Sequence, residues 1–216
     1  LKQNFFGSTP IVGSTLPIAT GIAFSNKVKK QHDKLVVVYF GDGAFETGNF
    51  HECLNFASLH NLKILFVCEN NFYSVYSNLN VRQNENLKIF KSANNYKVES
   101  LRMMGHEPDK IFKKIKEIRK KIITNSRPYL IEFLTYRNME HCGVNIDDNL
   151  NYRPKDELKR WKKKCPITYF RNKYKNLEKN FNYIEKKIDK KLVKVFNQAE
   201  KEKLPENKEL FQNIYA

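Results

Sequence analysis

The sequence predicts an α/β fold: a mostly parallel sheet, helices on both of its faces and a helical appendage at the carboxyl end. Three observations favour this class. Residues 35–40 and 64–68 are unbroken apolar runs, which are typical of parallel strands buried on both faces. Between them lies a segment with helical spacing of its apolar residues, so the two strands and this helix form one unit. Residues 169–204 are Lys-rich with helical periodicity, which indicates the appendage.

The remaining elements follow from apolar spacing and from punctuation by Gly and Pro. In chain order we expect a helix at 14–29, a strand at 35–40, a helix at 46–60, a strand at 64–68, a polar loop at 78–86, a short helix at 87–96, a strand at 98–104, a helix at 108–125, a strand at 129–135 and a helix at 154–161. Pro108 suits the first turn of its helix, because the N–H that proline lacks has no partner there.

The predicted helices carry stripes of apolar residues at helical spacing. The stripes consist of Phe50, Cys53, Leu54 and Ala57; of Ile111, Ile115, Ile118 and Ile122; and, in the appendage, of Ile184, Ile188, Leu192 and Phe196. We therefore predict two domains, an α/β domain at residues 1–150 and a basic helical extension at residues 151–216.

The charge is strongly basic but unevenly distributed. The net charge is +16, with 31 Lys against 8 Arg; residues 1–100 carry +3 (10 basic, 7 acidic) and residues 101–216 carry +13 (29 basic, 16 acidic). A basic surface raises nucleic acid as a partner. Because the excess is mostly Lys and lies in the second half, solvated helix faces or an acidic protein partner explain it better. We expect no specific nucleic-acid partner.

Cysteine usage and hydropathy limit the compartment. None of the four cysteines forms a CxxC pair, and Cys53 and Cys68 fall in a predicted helix and strand, where free buried thiols are expected. Such thiols indicate a reducing compartment. We see neither an apolar run long enough for a membrane span nor a signal peptide. The expected location is the cytoplasm, or the mitochondrial matrix or a plastid if a transit peptide precedes Leu1.

Polar residues follow both strands of the first strand-helix-strand unit. Gly41-Asp42-Gly43 ends one strand, and Asn70-Asn71 follows the other. Flanking glycines should let the backbone turn sharply and deliver Asp42 to the carboxyl edge of the sheet, where such folds bind ligands. Carboxylate and amide oxygens suit Mg²⁺, and the start of the next helix suits phosphate. The pattern predicts a magnesium diphosphate site.

The sequences of these motifs resemble those of a known family. GDG, 26 intervening residues and NN are similar to the thiamine diphosphate signature. PIVGSTLPIATGIAF, CENNFYSVYS and TYRNMEHCG resemble the α subunit of the first, decarboxylating component of 2-oxo acid dehydrogenase complexes, over about residues 4–165. The resemblance implies the thiamine diphosphate-binding fold and an amino-terminally truncated chain, which would lack the family's diphosphate-holding Tyr-Arg pair.

The resemblance also implies roles for individual residues. The Pro10 carbonyl and the Val12 amide would bind the cofactor's aminopyrimidine ring, and Mg²⁺ would be held by Asp42, Asn71 and the Tyr73 carbonyl. The full set of implied cofactor-binding residues is Pro10, Val12, Gly41, Asp42, Gly43, Ala44, Asn71, Tyr73 and His141.

A second set of implied roles lies in the loop after the strand at 129–135. His141, four residues after Arg137, would contact the diphosphate near the reacting centre, and Arg137 would support the loop. Of the neighbouring polar residues, Asp147 and Asp148 are interpreted as loop acids beside basic residues, and His106 as a variant turn residue.

The implied activity is oxidative decarboxylation of a small 2-oxo acid with acyl transfer to a lipoyl group. The partners would be a β subunit, in an α2β2 heterotetramer without which the chain is inactive, and a lipoyl acyltransferase. One alternative keeps thiamine diphosphate but cleaves acetoin, or ligates as transketolase does in surface-sugar synthesis. Another is a non-catalytic basic binding module.

Overall fold

The computed structural model describes residues 4–212. Its strands are β1 (Val36–Gly41), β2 (Ile64–Asn70), β3 (Tyr73–Ser74), β4 (Ser77–Asn78), β5 (Glu99–Met104) and β6 (Tyr129–Leu134). Within these residues, four strands form one parallel sheet in the order β1-β2-β6-β5, while β3 and β4 form a small antiparallel hairpin. The predicted α/β class is confirmed.

The helices alternate with the strands over the first part of the chain. They are α1 (Thr15–Val28), α2 (Asp42–Phe45), α3 (Gly48–Leu59), α4 (Leu79–Arg82), α5 (Ile89–Ser92), α6 (Pro108–Asn125), α7 (Glu157–Lys162), α8 (Pro166–Lys173) and α9 (Glu178–Lys201). Short 3-10 segments occur at Ala93–Tyr96, Asp148–Leu150, Lys175–Leu177 and Asn207–Phe211. Within residues 4–212, no helix has the length and apolar character needed to cross a membrane.

Helices cover both faces of the sheet. On one face, residues of α1, α3 and α5 pack on the sheet in a core that contains the fully buried Leu16, Phe50 and Phe66. On the other face, Ile118 and Ile122 of α6 pack against β2 and β6. The predicted stripes of α3 and α6 are thus confirmed, since apolar residues at helical spacing meet the sheet.

Most predicted elements differ from the observed ones by one or two residues at their ends, and four show a difference with a visible physical cause or a change of structure. The helix expected at 46–60 is observed as α3, because Thr47 is extended (φ −83°, ψ 147°) and separates it from α2. The loop expected at 78–86 contains α4, which begins where the Asn78 side chain accepts a hydrogen bond from the Asn80 N–H. The helix expected at 87–96 becomes α5 followed by a 3-10 turn that ends at Lys97, in the left-handed region. The helix expected from Pro154 begins only at Glu157.

The chain divides into two compact units, Leu1–Phe170 and Arg171–Ala216. In the first unit, Trp161 of α7 stacks on Tyr136 with ring centroids 5.4 Å apart, so this unit extends beyond residue 150. In the second unit, Arg171 bonds Asn182 and Glu185 of α9. The domain assignment to residues 1–150 and 151–216 stays a prediction.

Candidate active site

The first half of the candidate site lies where β1 and β2 end side by side. These strands are parallel, with Gly41 opposite Glu69, so the residues that follow them lie at one edge of the sheet. Asp42 is the first residue of α2, and only 2 % of it is exposed. The sequence thus correctly predicted that a carboxylate follows the strand at this edge.

The two glycines do not form the sharp turn that we expected. Gly41 is extended (φ −89°, ψ 170°), and Gly43 lies inside the short helix, so neither needs a left-handed conformation. Gly43 is required for space: a Cβ there would lie 2.8 Å from the Ser74 Oγ. The backbone of the glycine motif therefore packs directly on β3, and the close approach explains the glycine.

The buried Asp42 belongs to a charge cluster that reaches the surface at Glu46. Arg82 of α4 donates from Nη2 to the Asp42 Oδ2 at 2.7 Å and bonds Glu46 through Nη1, while the Gln83 side chain also donates to Glu46 at 2.8 Å. Burial raises the pKa of Asp42, and the Arg82 guanidinium opposes this rise. Two carboxylates share one guanidinium, so with both ionised the cluster has a net charge of −1. A further cation would balance it.

The other half of this edge is a pair of consecutive Asx turns after β2. The Asn70 Oδ1 accepts a hydrogen bond from the Phe72 N–H at 3.0 Å, and the Asn71 Oδ1 accepts one from the Tyr73 N–H at 2.9 Å. Phe72 has a φ of 71°, which side-chain-bearing residues rarely adopt. A carbonyl oxygen has two lone pairs, so the Asn71 Oδ1 keeps one for a ligand.

Tyr73 is held through its backbone N–H and through its hydroxyl. It is 4 % exposed, and its hydroxyl donates to the Glu157 Oε2 at 2.6 Å. Burial and the acceptor Glu157 raise the pKa of the Tyr73 hydroxyl. The residue is therefore held as a neutral donor beneath the hairpin.

The segment before α1 approaches the same region from a third side. Pro10 and Val12 are exposed. Gly13 has a φ of 82°, and a Cβ at this glycine would lie 2.9 Å from the Thr47 Oγ1. This contact places the segment next to the start of α3, one turn beyond Asp42.

The loop that follows β6 carries the predicted pair Arg137 and His141. Arg137 donates to the Val75 carbonyl at 2.8 Å and to the Tyr152 hydroxyl at 2.9 Å. Its Nη1 lies 3.3 Å from the His141 Nδ1, and because arginine can only donate, Nδ1 must accept in this contact. A neutral His141 therefore carries its proton on Nε2. Arg137 thus ties the loop to the hairpin and orients the exposed imidazole.

A buried ion pair underlies this loop. The Arg153 Nη2 lies 2.9 Å from the Asp147 Oδ1 and 3.2 Å from Oδ2, and only the second contact has hydrogen-bond geometry. Arg153 also donates to the Arg137 carbonyl at 2.9 Å, and the Tyr152 hydroxyl donates to Asp147. Asp147 is a loop acid paired with basic residues, which confirms its interpretation. His106 occupies the turn after β5, where its ring packs edge-on to Tyr169.

Sequence reasoning missed two residues at this edge, Arg82 and Arg153. Arg82 lies in the segment that we interpreted as a polar loop, and Arg153 was not singled out. A compositional signal was available: in a chain with 31 Lys and 8 Arg, arginines mark places where a planar donor fork is needed. Arg82, Arg137 and Arg153 each bond more than one group, and Arg102 bonds both oxygens of the Glu132 carboxylate.

Curated relatives align over nearly the whole chain. The α subunit of mitochondrial 2-oxoisovalerate dehydrogenase from Caenorhabditis elegans is 33 % identical over 220 residues, covering 99 % of this chain and 50 % of that protein. The pyruvate dehydrogenase E1 component subunit alpha of Rickettsia bellii is 28 % identical over 221 residues, covering all of this chain and 66 % of that protein. The chain thus spans between half and two thirds of the length of these relatives.

Among solved structures, transketolase from Leishmania mexicana shares the fold. Its TM-score is 0.50 at 17 % identity, covering 58 % of this chain and 20 % of that one. In sequence, residues 1–208 match the family described as the dehydrogenase E1 component. That match covers both halves of the candidate site and confirms the resemblance stated above. The chain belongs to the dehydrogenase E1 component family.

Proposed function

We propose that the chain supplies the α-subunit half of a thiamine diphosphate-dependent 2-oxo acid dehydrogenase. The reaction is oxidative decarboxylation of a small 2-oxo acid, with transfer of the acyl unit to a lipoyl group on an acyltransferase. One observation carries the proposal: the buried Asp42 carboxylate, in a cluster of net charge −1, lies where Gly43 packs on the Tyr73–Ser74 strand. Membership of the dehydrogenase E1 component family supports it.

The residues present fit a magnesium ion. Mg²⁺ prefers oxygen ligands and is usually held by one or two carboxylates together with substrate phosphates and water. Asp42 would supply the carboxylate, Asn71 its side-chain oxygen and Tyr73 its main-chain carbonyl. Asp42 retains Oδ1 for this purpose, since Arg82 bonds Oδ2. The arginine therefore orients the carboxylate and still leaves one oxygen for the metal.

Thiamine diphosphate, when bound, supplies the electron sink that loss of carbon dioxide from a 2-oxo acid needs. Within this chain, Gly41, Gly43 and Ala44 would hold the diphosphate, while the Pro10 carbonyl and the Val12 amide would hold the aminopyrimidine. His141, whose Nδ1 faces Arg137, has Nε2–H free to donate to a phosphate oxygen. Arg137 holds that imidazole in place.

The proposed assembly is an α2β2 heterotetramer, which passes its acyl group to a lipoyl acyltransferase. The names of the relatives support this, since they denote alpha subunits. Relatives from a bacterium and from mitochondria favour the cytoplasm or the mitochondrial matrix.

The test uses the full-length protein co-purified with its β subunit. Calorimetry should detect thiamine diphosphate binding that requires Mg²⁺, and turnover with a lipoyl acceptor should appear with one or more members of a panel of 2-oxo acids. Activity with acetoin and with none of the 2-oxo acids would show that the substrate class is acetoin instead. Absence of Mg²⁺-dependent binding would refute the proposal.

A further inference from the structure

A buried carboxylate that the proposed chemistry does not use bonds Asn70, the residue before the candidate metal ligand Asn71. Glu132 of β6 is fully buried, at 0 % exposure, within the apolar core on the α1 side of the sheet. It lies opposite Cys68 of β2 and Arg102 of β5. Such a position would ordinarily hold an apolar residue, because a charge is costly to bury. Its contacts show why a carboxylate is needed.

The acceptor positions of Glu132 are used in full. Oε1 accepts from the Asn70 Nδ2 and from the Arg102 Nη2, each at 2.8 Å. Oε2 accepts from the Arg102 Nε at 2.8 Å and from the Phe90 N–H at 3.1 Å. Two oxygens accept four hydrogen bonds, which is the capacity of a carboxylate. The guanidinium balances the charge through a bidentate contact.

This arrangement fixes the direction of the Asn70 amide. An ionised carboxylate can only accept, so Asn70 must turn its NH₂ group toward Glu132 and its Oδ1 away. The Oδ1 then faces the Phe72 N–H and accepts from it at 3.0 Å. The opposite orientation would set oxygen against oxygen at Glu132 and NH₂ against N–H at Phe72. Glu132 thereby selects the orientation that closes the turn.

The turn in question carries two of the predicted metal ligands. Phe72, with its φ of 71°, lies between Asn71 and Tyr73, and an unfavourable backbone conformation persists only where its surroundings determine it. Two hydrogen bonds do so: the one to the Asn70 Oδ1, and the one from the Leu79 N–H to the Phe72 carbonyl at 2.7 Å. The Asn70 carbonyl also accepts from the Thr135 N–H at 2.9 Å, at the start of the His141 loop.

We propose that Glu132, held by Arg102, is a positioning residue: it orients the Asn70 amide and so places Asn71 and Tyr73 for magnesium and diphosphate. The alternative is that the Glu132–Arg102 pair only stabilises the sheet. Buried ion pairs give little net stability compared with apolar residues of similar size, so their presence calls for another explanation. The inference rests on the proposed function for its ligand, but the orientation of Asn70 does not.

The central variant is Glu132→Gln in the full-length protein with its β subunit. Glutamine keeps the shape, but its NH₂ group must face a donor on Arg102, Phe90 or Asn70. We expect faster amide hydrogen exchange in residues 70–73 without cofactor, and an affinity for Mg²⁺ and thiamine diphosphate about 10–100-fold weaker, as for other groups that orient metal ligands. Ile122→Val, in the core on the opposite face, is the control for general loss of stability and should change neither quantity.

Asn70→Ala removes the same turn contact but keeps the hydrogen bonds of Arg102 and Phe90 to Glu132. It therefore provides the test if Glu132→Gln does not fold. The double variant, Glu132→Gln with Asn70→Ala, should bind Mg²⁺ and thiamine diphosphate no more weakly than Asn70→Ala alone. Both changes break the same hydrogen bond between Asn70 and Glu132, so their effects should not add. Losses that multiply would overturn the proposal. So would a Glu132→Gln protein with a lower melting temperature but the exchange and affinity of the Ile122→Val control.

Different results would refute the proposed function and the positioning role of Glu132. If the wild-type assembly shows no Mg²⁺-dependent binding of thiamine diphosphate, the proposed function is refuted, yet exchange of residues 70–73 still tests the role of Glu132. If the wild type binds the cofactor and Glu132→Gln binds it equally well, only the positioning role is refuted.

Discussion

The two halves of the candidate site are built in opposite ways. At the ends of β1 and β2, the polar side chains are fixed by their neighbours: Asp42 is 2 % exposed, and Asn70, which closes the turn that carries Asn71, is 1 % exposed. In the loop after β6, His141 is exposed and is oriented through Arg137, which reaches back to the Val75 carbonyl. Only the residues beneath that loop, Asp147 and Arg153, are buried.

The two halves differ in whether the charge of a side chain must be compensated before a ligand binds. A buried carboxylate must have its charge balanced at all times, and Arg82 provides part of that balance. An exposed imidazole needs no such partner, because water solvates it. We therefore expect the buried half to determine whether the cofactor binds and the exposed half to determine what happens after it has bound.

The largest effect should come from Asp42→Ala. The change removes the carboxylate from the proposed metal ligands, so Mg²⁺-dependent binding of thiamine diphosphate should fall by more than the ~10–100-fold typical of outer groups. Calorimetry on the full-length assembly measures this. Asp33→Ala removes an exposed carboxylate and is the matched control. Unchanged affinity in the Asp42 variant would remove this residue from the site.

The next effect is that of His141→Ala, which tests the exposed half. A group that contacts or shuttles protons at a bound cofactor contributes about 10²–10⁴-fold to turnover. We expect a loss in that range, strongest in acyl transfer to the lipoyl partner, with a smaller loss of cofactor affinity than in Asp42→Ala. Rates with a lipoyl and an artificial electron acceptor separate the two steps. The exposed His32 supplies the control variant, and near wild-type rates in both assays would make His141 an ordinary loop residue.

Asp147→Asn should change cofactor binding less than the two variants above, but it should clearly loosen the loop at residues 136–153. Removing one partner of a buried ion pair costs about 3–5 kcal/mol, because the other charge is left uncompensated. Since Arg153 also bonds the Arg137 carbonyl, residues 136–153 should exchange amide hydrogens faster and be cleaved sooner by protease. Asp156→Asn, at an exposed carboxylate, should leave both unchanged. Equal protection in the two variants would contradict a supporting role for the pair.

The smallest effect concerns cysteine reactivity. Burial raises the pKa of Cys53 and Cys68, whereas the backbone N–H of Thr168 donates to Cys165 and lowers the pKa of that thiol. A lower pKa means more thiolate at a given pH, so Cys165 should be alkylated at a lower pH than an ordinary thiol. Mass spectrometry of iodoacetamide-treated protein should find Cys53 and Cys68 modified only in denaturant. The Cys165→Ser variant identifies the mass-spectrometric signal of Cys165. Labelling of Cys68 without denaturant would contradict the prediction and would show that the buried half opens.

The sequence alone determined the framework of the buried half. Continuous apolar runs defined β1 and β2, and parallel strands joined by a helix must bring their carboxyl ends to one edge. Asp42 and Asn71 could therefore be placed together without coordinates. For α6, the predicted range 108–125 is the observed one, because Pro108 begins the helix and its isoleucine stripe faces the sheet. Local chemistry sufficed in these cases.

The side chains that complete the site come together through contacts between residues that are distant in sequence. Arg82 meets Asp42 across 40 residues of sequence, and Asn70 meets Glu132 across 62. The periodicity of apolar residues reports which face of an element is buried, but it contains no information on which polar group on one element reaches which group on another. Those pairings depend on sheet order and strand register, which place β6 between β2 and β5. The sequence thus determined the edge of the sheet that carries the site, while the fold decided how that site is charged and held.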